Sequence, residues 1–403
     1  MSLNGTPSGE RVHIGFFGRR NAGKSSVVNA VTGQKLAIVS DVLGTTTDPV
    51  LKAMELLPIG PVVIIDTPGI DDEGELGALR VKASYRMLNK TDIAVLVISE
   101  EKGMSEEDRR LLEKIQQKNI PFVIVYNKAD LKKTEHTAEN EISVSTKTGE
   151  GIFELKELIG RQASLLQNDK HIVSDMIDKE DVIVLVVPID SAAPKGRLIL
   201  PQQQTIRDII DAHAVCMVTQ PEQLPLTLQT LSRKPKMVIT DSQAFAAVSP
   251  MVPQDIMLTS FSILFANYKG NLKQAAASCG ALDTLQDGDK ILMSEGCTHH
   301  RQCDDIGTVK IPKLIRKYTG KDVQFVWTSG TEFAEDLRQY RLIIHCGGCM
   351  LGEREMKYRL KCAEDEGVPM TNYGTAIAYM NGILYRSLAP FPEIQKLISD
   401  HKA

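Results

Sequence analysis

The sequence predicts an α/β protein of three consecutive blocks with largely parallel sheets, the second and third smaller than the first. Three observations carry this expectation. β-Branched apolar runs alternate with helix-like stretches, which favours parallel strands joined by crossover helices. Gly18-Arg19-Arg20-Asn21-Ala22-Gly23-Lys24-Ser25 fits the pattern G-x-x-x-x-G-K-S/T and lies between a strand-like run and a helix-like one. A polar stretch, Leu166–Glu180, then separates this region from two further alternating blocks. The boundaries expected are 1–170, 171–268 and 269–403.

In the first block the strands expected are Val12–Phe17, Lys52–Leu57, Val62–Asp66, Ile93–Ile98 and Phe122–Asn127. Ser105-Glu106-Glu107-Asp108 opens a helix, with a capping hydroxyl and acidic groups at the positive end of the helix dipole. In the second block Asp181–Pro188, Ala214–Thr219 and Met237–Thr240 read as strands, with helices near Thr205–Ala212 and Leu226–Ser232. It shows no phosphate loop and no cluster of ionisable residues, so it reads as an assembly or spacer domain. In the third, Lys290–Met293, Val323–Val326 and Leu342–Ile344 read as strands and Glu353–Glu366 as a helix.

Composition sets the limits on function. A chain of 403 residues holds two or three domains at about 100–200 residues each, and 42% hydrophobic residues suffice to fill their cores. The net charge of -4 argues against a dedicated nucleic-acid or membrane-surface binder. No apolar run approaches the ~18 residues of a membrane span, and the start lacks the basic-then-apolar order of a signal peptide, so a cytoplasmic protein is the simplest expectation. Seven cysteines, an odd number, do not read as a disulfide framework. Four of them fall within Cys297–Cys349, beside three of the eight histidines, which points to metal.

The glycine-rich loop follows VHIGFF and precedes SSVVNAV, the strand–loop–helix context of a phosphate site. Its glycines let backbone N–H groups of Asn21, Ala22, Gly23, Lys24, Ser25 and Ser26 turn around phosphates at a helix N-terminus. Lys24 supplies a point charge to the β/γ-phosphates, and the Ser25 hydroxyl is a magnesium ligand. Asp66-Thr67-Pro68-Gly69 ends the next strand, where Asp66 serves the magnesium shell and the Gly69 N–H meets a γ-phosphate. Asn127-Lys128-Ala129-Asp130 ends a third strand. The Asp130 carboxylate there accepts from two guanine donors that adenine lacks, and Ser145-Thr146-Lys147 lies where a backbone amide meets guanine O6. The expected ligand is therefore GTP or GDP with magnesium. Within Gly44-Thr45-Thr46-Thr47-Asp48, Thr46 is the threonine expected to reach magnesium once a γ-phosphate is bound. Lys24, Thr46, Asp66 and Gly69 are the residues expected to serve hydrolysis.

Asn21, the GTTTD segment and DTPG together resemble the TrmE–Era–EngA branch of GTPases. In several members the asparagine matching Asn21 helps bind a potassium ion, so the resemblance implies potassium-assisted hydrolysis. Ile70 stands where Ras-like enzymes place a water-orienting glutamine, which implies slow intrinsic hydrolysis.

Cys297-Thr298-His299 follows the strand-like KILM, and His345-Cys346-Gly347-Gly348-Cys349 follows LIIH. Ligands collect beyond the carboxyl ends of strands in open α/β sheets, so one site can receive both half-motifs. A structural zinc drawing on Cys297, Cys346, Cys349, His299 and His345, a 4Fe-4S cluster on the three cysteines, and a redox pair at Cys346/Cys349 all fit the residues. His300 and Cys303 lie near without a defined role; Cys216 and Cys279 read as small core residues, and Cys362 as structural or a free thiol.

The full order, GTPase motifs, a middle α/β block and then C-x-H…H-C-x-x-C, resembles the HydF family of FeFe-hydrogenase maturation GTPases over nearly the whole chain. The resemblance implies that the middle block makes a homodimer and that higher oligomers can form. It also implies that Cys297, Cys346 and Cys349 hold a 4Fe-4S cluster with one exchangeable position. His299 and His345 match the family's histidines as a fourth ligand, a donor behind the ligands or a turn residue. The implied role is a scaffold or carrier. It receives a transient di-iron precursor made with the radical-SAM maturases HydE and HydG, and passes it to apo FeFe-hydrogenase. Against this stands a ribosome- or tRNA-associated GTPase with a structural zinc; the mixed charges and 5% aromatic content of the chain weigh against it.

Overall fold

A computed structural model describes residues 6, 8–34, 49–71, 74–132, 134, 136, 138–166, 170–189, 198–296, 305–330, 333–334 and 336–399. The chain divides into two compact units, Met1–Asn168 and Asp169–Ala403.

In the first unit the strands are β1 (Val12–Phe17), β2 (Val50–Leu56), β3 (Gly60–Asp66), β4 (Ile93–Ser99), β5 (Phe122–Asn127) and β6 (Glu141–Val144). They form one sheet in the order β2-β3-β1-β4-β5-β6, parallel except for the β2–β3 pair. β1, β3, β4 and β5 are apolar almost throughout because helices cover both faces. On one face α1 (Lys24–Thr32) contributes Val27, Val28 and Val31, and a later helix, Ile152–Ser164, contributes Leu155, Leu158 and Ile159. Between them in the chain lie α2 (Gly74–Met87) and α3 (Glu106–Gln117), so the Ile152–Ser164 helix is α4. α3 buries Leu111 and Ile115 on the opposite face. It begins at Ser105, as the sequence leads one to expect, with a reciprocal Ser105–Asp108 capping box.

The second unit holds two sheets. The first contains β7 (Val182–Val186), β8 (Val215–Thr219), β9 (Met237–Thr240) and β10 (Met257–Ser260), all parallel, in the order β10-β9-β7-β8. Its helices are α5 (Leu200–Asp211), α6 (Leu224–Thr230), α7 (Phe245–Val248) and α8 (Phe261–Tyr268). The second contains β11 (Lys290–Ser294), β12 (Gln324–Thr328), β13 (Leu342–His345) and β14 (Met370–Asn372), also parallel, in the order β12-β11-β13-β14. Its helices are α9 (Leu272–Ala277), α10 (Ile311–Thr319), α11 (Glu353–Asp365), α12 (Tyr373–Met380), α13 (Leu384–Ser387) and α14 (Pro392–Ser399).

Each sheet has its own buried clusters, and α12 links them: its Ala376 and Ile377 pack with Ile291, Met293 and Ile344 of the second sheet. Ala378 of α12, Leu384 of α13, Leu388 just after it and Ile398 of α14 pack in one buried cluster with Val184, Val238 and Leu258 of the first sheet. The end of the chain thus completes the core of the sheet made before it. At the entrance to this unit the Asp208 carboxylate of α5 accepts from the N–H groups of Ile172, Val173 and Ser174 at 3.1, 2.8 and 2.9 Å. β8 is an edge strand, and it exposes Val215, Met217 and Val218 by 46%, 37% and 45%. Exposed apolar residues on an open strand edge mark an association surface. Among the described residues no helix is long and apolar enough to cross a membrane.

Because α12 packs in the clusters of both sheets, Leu388→Ala, in the cluster of the first, is expected to lower the stability of the whole second unit by about 2–5 kcal/mol. Trp327, the single tryptophan, sits on the far edge strand β12 and reports on the other sheet. Its fluorescence transition in urea should move to lower denaturant in the variant; an unmoved transition would mean that the sheets unfold independently.

Candidate functional site

The loop between β1 and α1 is pressed between two neighbours. Gly18, at φ +148°, would place a β-carbon 2.2 Å from the Val97 carbonyl oxygen of β4. Gly23, at φ +87°, would place one 2.1 Å from Asn127 Nδ2. Only glycine serves at either position. The buried Asn127 side chain then ties the loops together: Nδ2 donates to the Ala22 carbonyl at 3.1 Å, and Oδ1 accepts from the Thr146 N–H at 3.4 Å. Asp130 is oriented by Ser145, whose Oγ donates to Asp130 Oδ1 at 2.7 Å and accepts from the Thr148 N–H at 3.2 Å. Lys128 adopts φ +72° between these two anchors.

Across the loop, Ser25 Oγ donates to Asp66 Oδ2 at 3.2 Å. Asp66 is 4% exposed, and its Oδ1 is buried with no hydrogen-bond partner among the described residues. Burial raises the pKa of this carboxyl group, against the opposing influence of the Lys24 ammonium and the Ser25 hydroxyl. Thr67 fixes the turn by donating from Oγ1 to the Phe16 carbonyl at 2.7 Å. Gly69 lies flush against the loop, where a β-carbon would sit 2.6 Å from Arg20 Cγ. Ile70 is buried among Phe17, Leu96 and Leu111, so the position after DTPG faces the core. Thr46 lies outside the described residues.

Three contacts here have no signature in the motifs. Asp71 Oδ1 accepts from the Arg20 N–H at 2.7 Å, which sets a carboxylate on the phosphate loop. Arg19 Nε is 3.0 Å from Asp108 Oδ2, and its Nη2 donates to the Gly103 carbonyl at 2.9 Å. The capping box of α3 thereby anchors the phosphate loop.

In the second unit β11 and β13 are adjacent, with Ser294 opposite His345, so their carboxyl-terminal loops leave side by side. The Gly296 and Gly348 N–H groups donate to Cys346 Sγ at 3.1 and 3.4 Å. Burial raises the Cys346 thiol, and these two donors oppose it. Gly348 takes φ +61°, which turns the chain toward Cys349. His345 is 1% exposed; its Nε2 lies 3.0 Å from Arg359 Nη1 and its Nδ1 lies 2.7 Å from the Cys346 carbonyl oxygen. A guanidinium only donates, so Nε2 accepts and Nδ1 carries the proton. Burial, and then the Arg359 charge, push the His345 pKa down to about 3. Arg359 is itself buried on α11, donating to the Gly330 carbonyl at 2.9 Å and to Glu355 Oε1 at 2.8 Å. Lys269, 6% exposed, donates from Nζ to the carbonyls of Gly348 and Leu351. Cys297, His299, His300 and Cys303 lie outside the described residues, among which no group of three His, Cys, Asp or Glu side chains forms a metal set. Cys279 is buried against Thr371 at 3.2 Å, whereas Cys216 on β8 is only half-buried.

Comparison with known families assigns these parts. Residues 172–270 match the hydrogen maturase F dimerization domain, and residues 273–390 match the hydrogen maturase F tetramerization domain. Residues 13–128 match the family described as 50S ribosome-binding GTPase. The chain belongs to the hydrogen maturase F family. Its first unit is a guanine-nucleotide- and magnesium-binding GTPase domain, and its second unit carries the regions of a hydrogen maturase F homo-oligomer, a dimer or higher. Among curated relatives, the tRNA modification GTPase MnmE of Prochlorococcus marinus is 34% identical over 181 residues, 42% of this chain and 39% of that protein. MnmE of Acetivibrio thermocellus is 29% identical over 215 residues, covering 50% and 46% of the two chains. This chain therefore spans less than half the length of either relative. The crystal structure of a variant of Aquifex aeolicus Era bound to GDP·AlF4- has 19% identity and a TM-score of 0.34, covering 55% of this chain and 98% of that one.

Asn127→Ala removes the link between the phosphate loop and the Thr146 turn. It is expected to weaken GDP binding roughly 10–100-fold, about 1.4–2.8 kcal/mol, in a titration with a fluorescent GDP analogue. Unaltered affinity would show that the loops are held without this side chain.

Proposed function

We propose that this chain is a GTP-hydrolysing scaffold that carries a 4Fe-4S cluster and delivers a di-iron precursor to FeFe-hydrogenase. The observation that carries the reading is the cysteine loop at the ends of β11 and β13. There Cys346 is cradled by two backbone donors in a chain whose second unit matches both hydrogen maturase F regions.

In the nucleotide site, the backbone of Asn21, Ala22, Gly23, Lys24, Ser25 and Ser26 holds phosphates, and Lys24 adds its charge. Asn127, Lys128, Asp130, Ser145 and Thr146 hold guanine. The unpartnered Asp66 Oδ1 beside Ser25 suits a magnesium shell, with Thr46 completing it. Gly69, packed on Arg20, is the residue whose N–H senses the γ-phosphate in this reading. Because Ile70 is buried, no side chain at that position orients a water; hydrolysis is slow, and Asn21 gives a potassium ion a role in speeding it.

In the second unit Cys297, Cys346 and Cys349 would hold the cluster, and amide donors to a cysteine sulfur favour its thiolate form. Such a cluster, with three protein ligands, would supply an iron able to accept an incoming group. His345 acts as an orienting residue, since both ring nitrogens are already engaged; His299 stays a candidate fourth ligand. The exposed apolar edge of β8 supports dimerisation through the first sheet. HydE, HydG and apo-hydrogenase are the partners the family resemblance supplies, and they give the protein a cytoplasmic setting, with neither nucleic acid nor membrane as a partner.

Iron and acid-labile sulfide should be measured on the anaerobically reconstituted chain, with electron paramagnetic resonance after reduction. Iron and sulfide in equal amount, with a reduced-cluster signal lost in Cys346→Ala, are expected. Stoichiometric zinc without sulfide would remove the carrier reading. Separately, GTP turnover should run faster in potassium than in sodium at equal ionic strength, and equal rates would leave Asn21 without its cation role.

A further inference from the structure

Lysine is almost never fully buried unless it is paired. Lys269 is nevertheless only 6% exposed. It is the C-cap of α8, where the negative end of the helix dipole favours a cation. From there its Nζ donates to the Gly348 carbonyl and, at 2.8 Å, to the Leu351 carbonyl. These two carbonyls flank Cys349. Gly348 is consequently gripped from both sides, its N–H on Cys346 Sγ at 3.4 Å and its carbonyl on the Lys269 ammonium. Lys269 lies within the dimerization match, residues 172–270, and the carbonyls it holds lie within the tetramerization match, residues 273–390. One region therefore supplies the charged group that shapes the other region's cysteine turn.

We propose that Lys269 is a positioning residue for the cysteine loop: it fixes the Cys346–Cys349 turn and sets a buried positive charge beside the sulfur ligands. Through it the dimerisation region governs both how firmly the loop is organised and how readily a cluster held there is reduced. The second half rests on the iron–sulfur reading, whereas the first does not. A buried cation beside a cluster stabilises its more negative, reduced state, so losing the charge makes reduction harder.

Lys269→Met keeps most of the side-chain volume and removes the charge; Lys269→Arg keeps the charge. In the metal-free full-length chain, amide hydrogen exchange across residues 346–351 is expected to run at least about tenfold faster in Lys269→Met, as loss of charged hydrogen bonds requires. Lys269→Arg should retain most of the protection. Exchange in Lys269→Met equal to that of the unsubstituted chain overturns the positioning role, as does a global rise in exchange that Lys269→Arg shares, which marks a purely structural lysine. In the reconstituted chain the midpoint potential, followed by electron paramagnetic resonance, should move to more negative values in Lys269→Met and return toward the original in Lys269→Arg. An unchanged midpoint overturns the charge role. If the unsubstituted chain takes up no iron and sulfide, the iron–sulfur reading and with it the charge role are lost, while the exchange experiment still decides the positioning role.

Discussion

Apart from the β2–β3 hairpin, parallel pairing forces the chain to return through a crossover before the next strand begins, so the carboxyl ends gather along one edge. Both sites of this chain are consequences of that geometry. In the first unit the loops after β1, β3 and β5 carry the phosphate loop, DTPG and NKAD. In the second unit the loops after β11 and β13 leave together because Ser294 and His345 are in register. Slipping β13 by one residue against β11 would turn its side chains, His345 among them, to the other face of the sheet. The hydrogen bonds around Asn127 and Cys346 refine an arrangement that strand pairing has already brought to within reach.

The parts legible in the sequence are those where backbone geometry admits few residues. Gly18 and Gly23 cannot be replaced without collision, and Asp66 and Asn127 end buried strands at positions their neighbours define. The α3 start is legible for a related reason, since a capping box is a local reciprocal bond. By contrast β6 (EISV), β10 (MLTS) and β14 (MTN) lack the continuous apolar run that marks the equally short β9 (MVIT) and β13 (LIIH). The packing of the chain's last helices on the first sheet is equally hidden, because Leu384, Leu388 and Ile398 meet it only through tertiary contact.

The least legible residues are the buried cations. Arg359 belongs to REMKYRLKCAEDEG, whose charges read as a solvated helix face, yet it is the largest fully buried side chain described. Its bonds to Glu355, Gly330 and His345 explain the placement. A buried pair of this kind adds little net stability over a well-packed apolar pair, but breaking it by removing one partner is costly, so it favours one arrangement over its competitors. Arg359 on α11 bonds to His345 just before the cysteine turn, and Lys269, the C-cap of α8, bonds to the Gly348 and Leu351 carbonyls within it.

The order of strands in the first sheet of the second unit also bears on how the protein is made. β7 and β8 are synthesised first and pair with each other, and β9 and then β10 add to the far side of β7. Growth of the sheet therefore proceeds away from β8, and none of the later strands described covers its apolar edge. A nascent chain displays Val215, Met217 and Val218 from the moment they emerge. Such an edge can be covered by a second chain, so subunit encounter and productive folding compete for the same surface at high rates of synthesis.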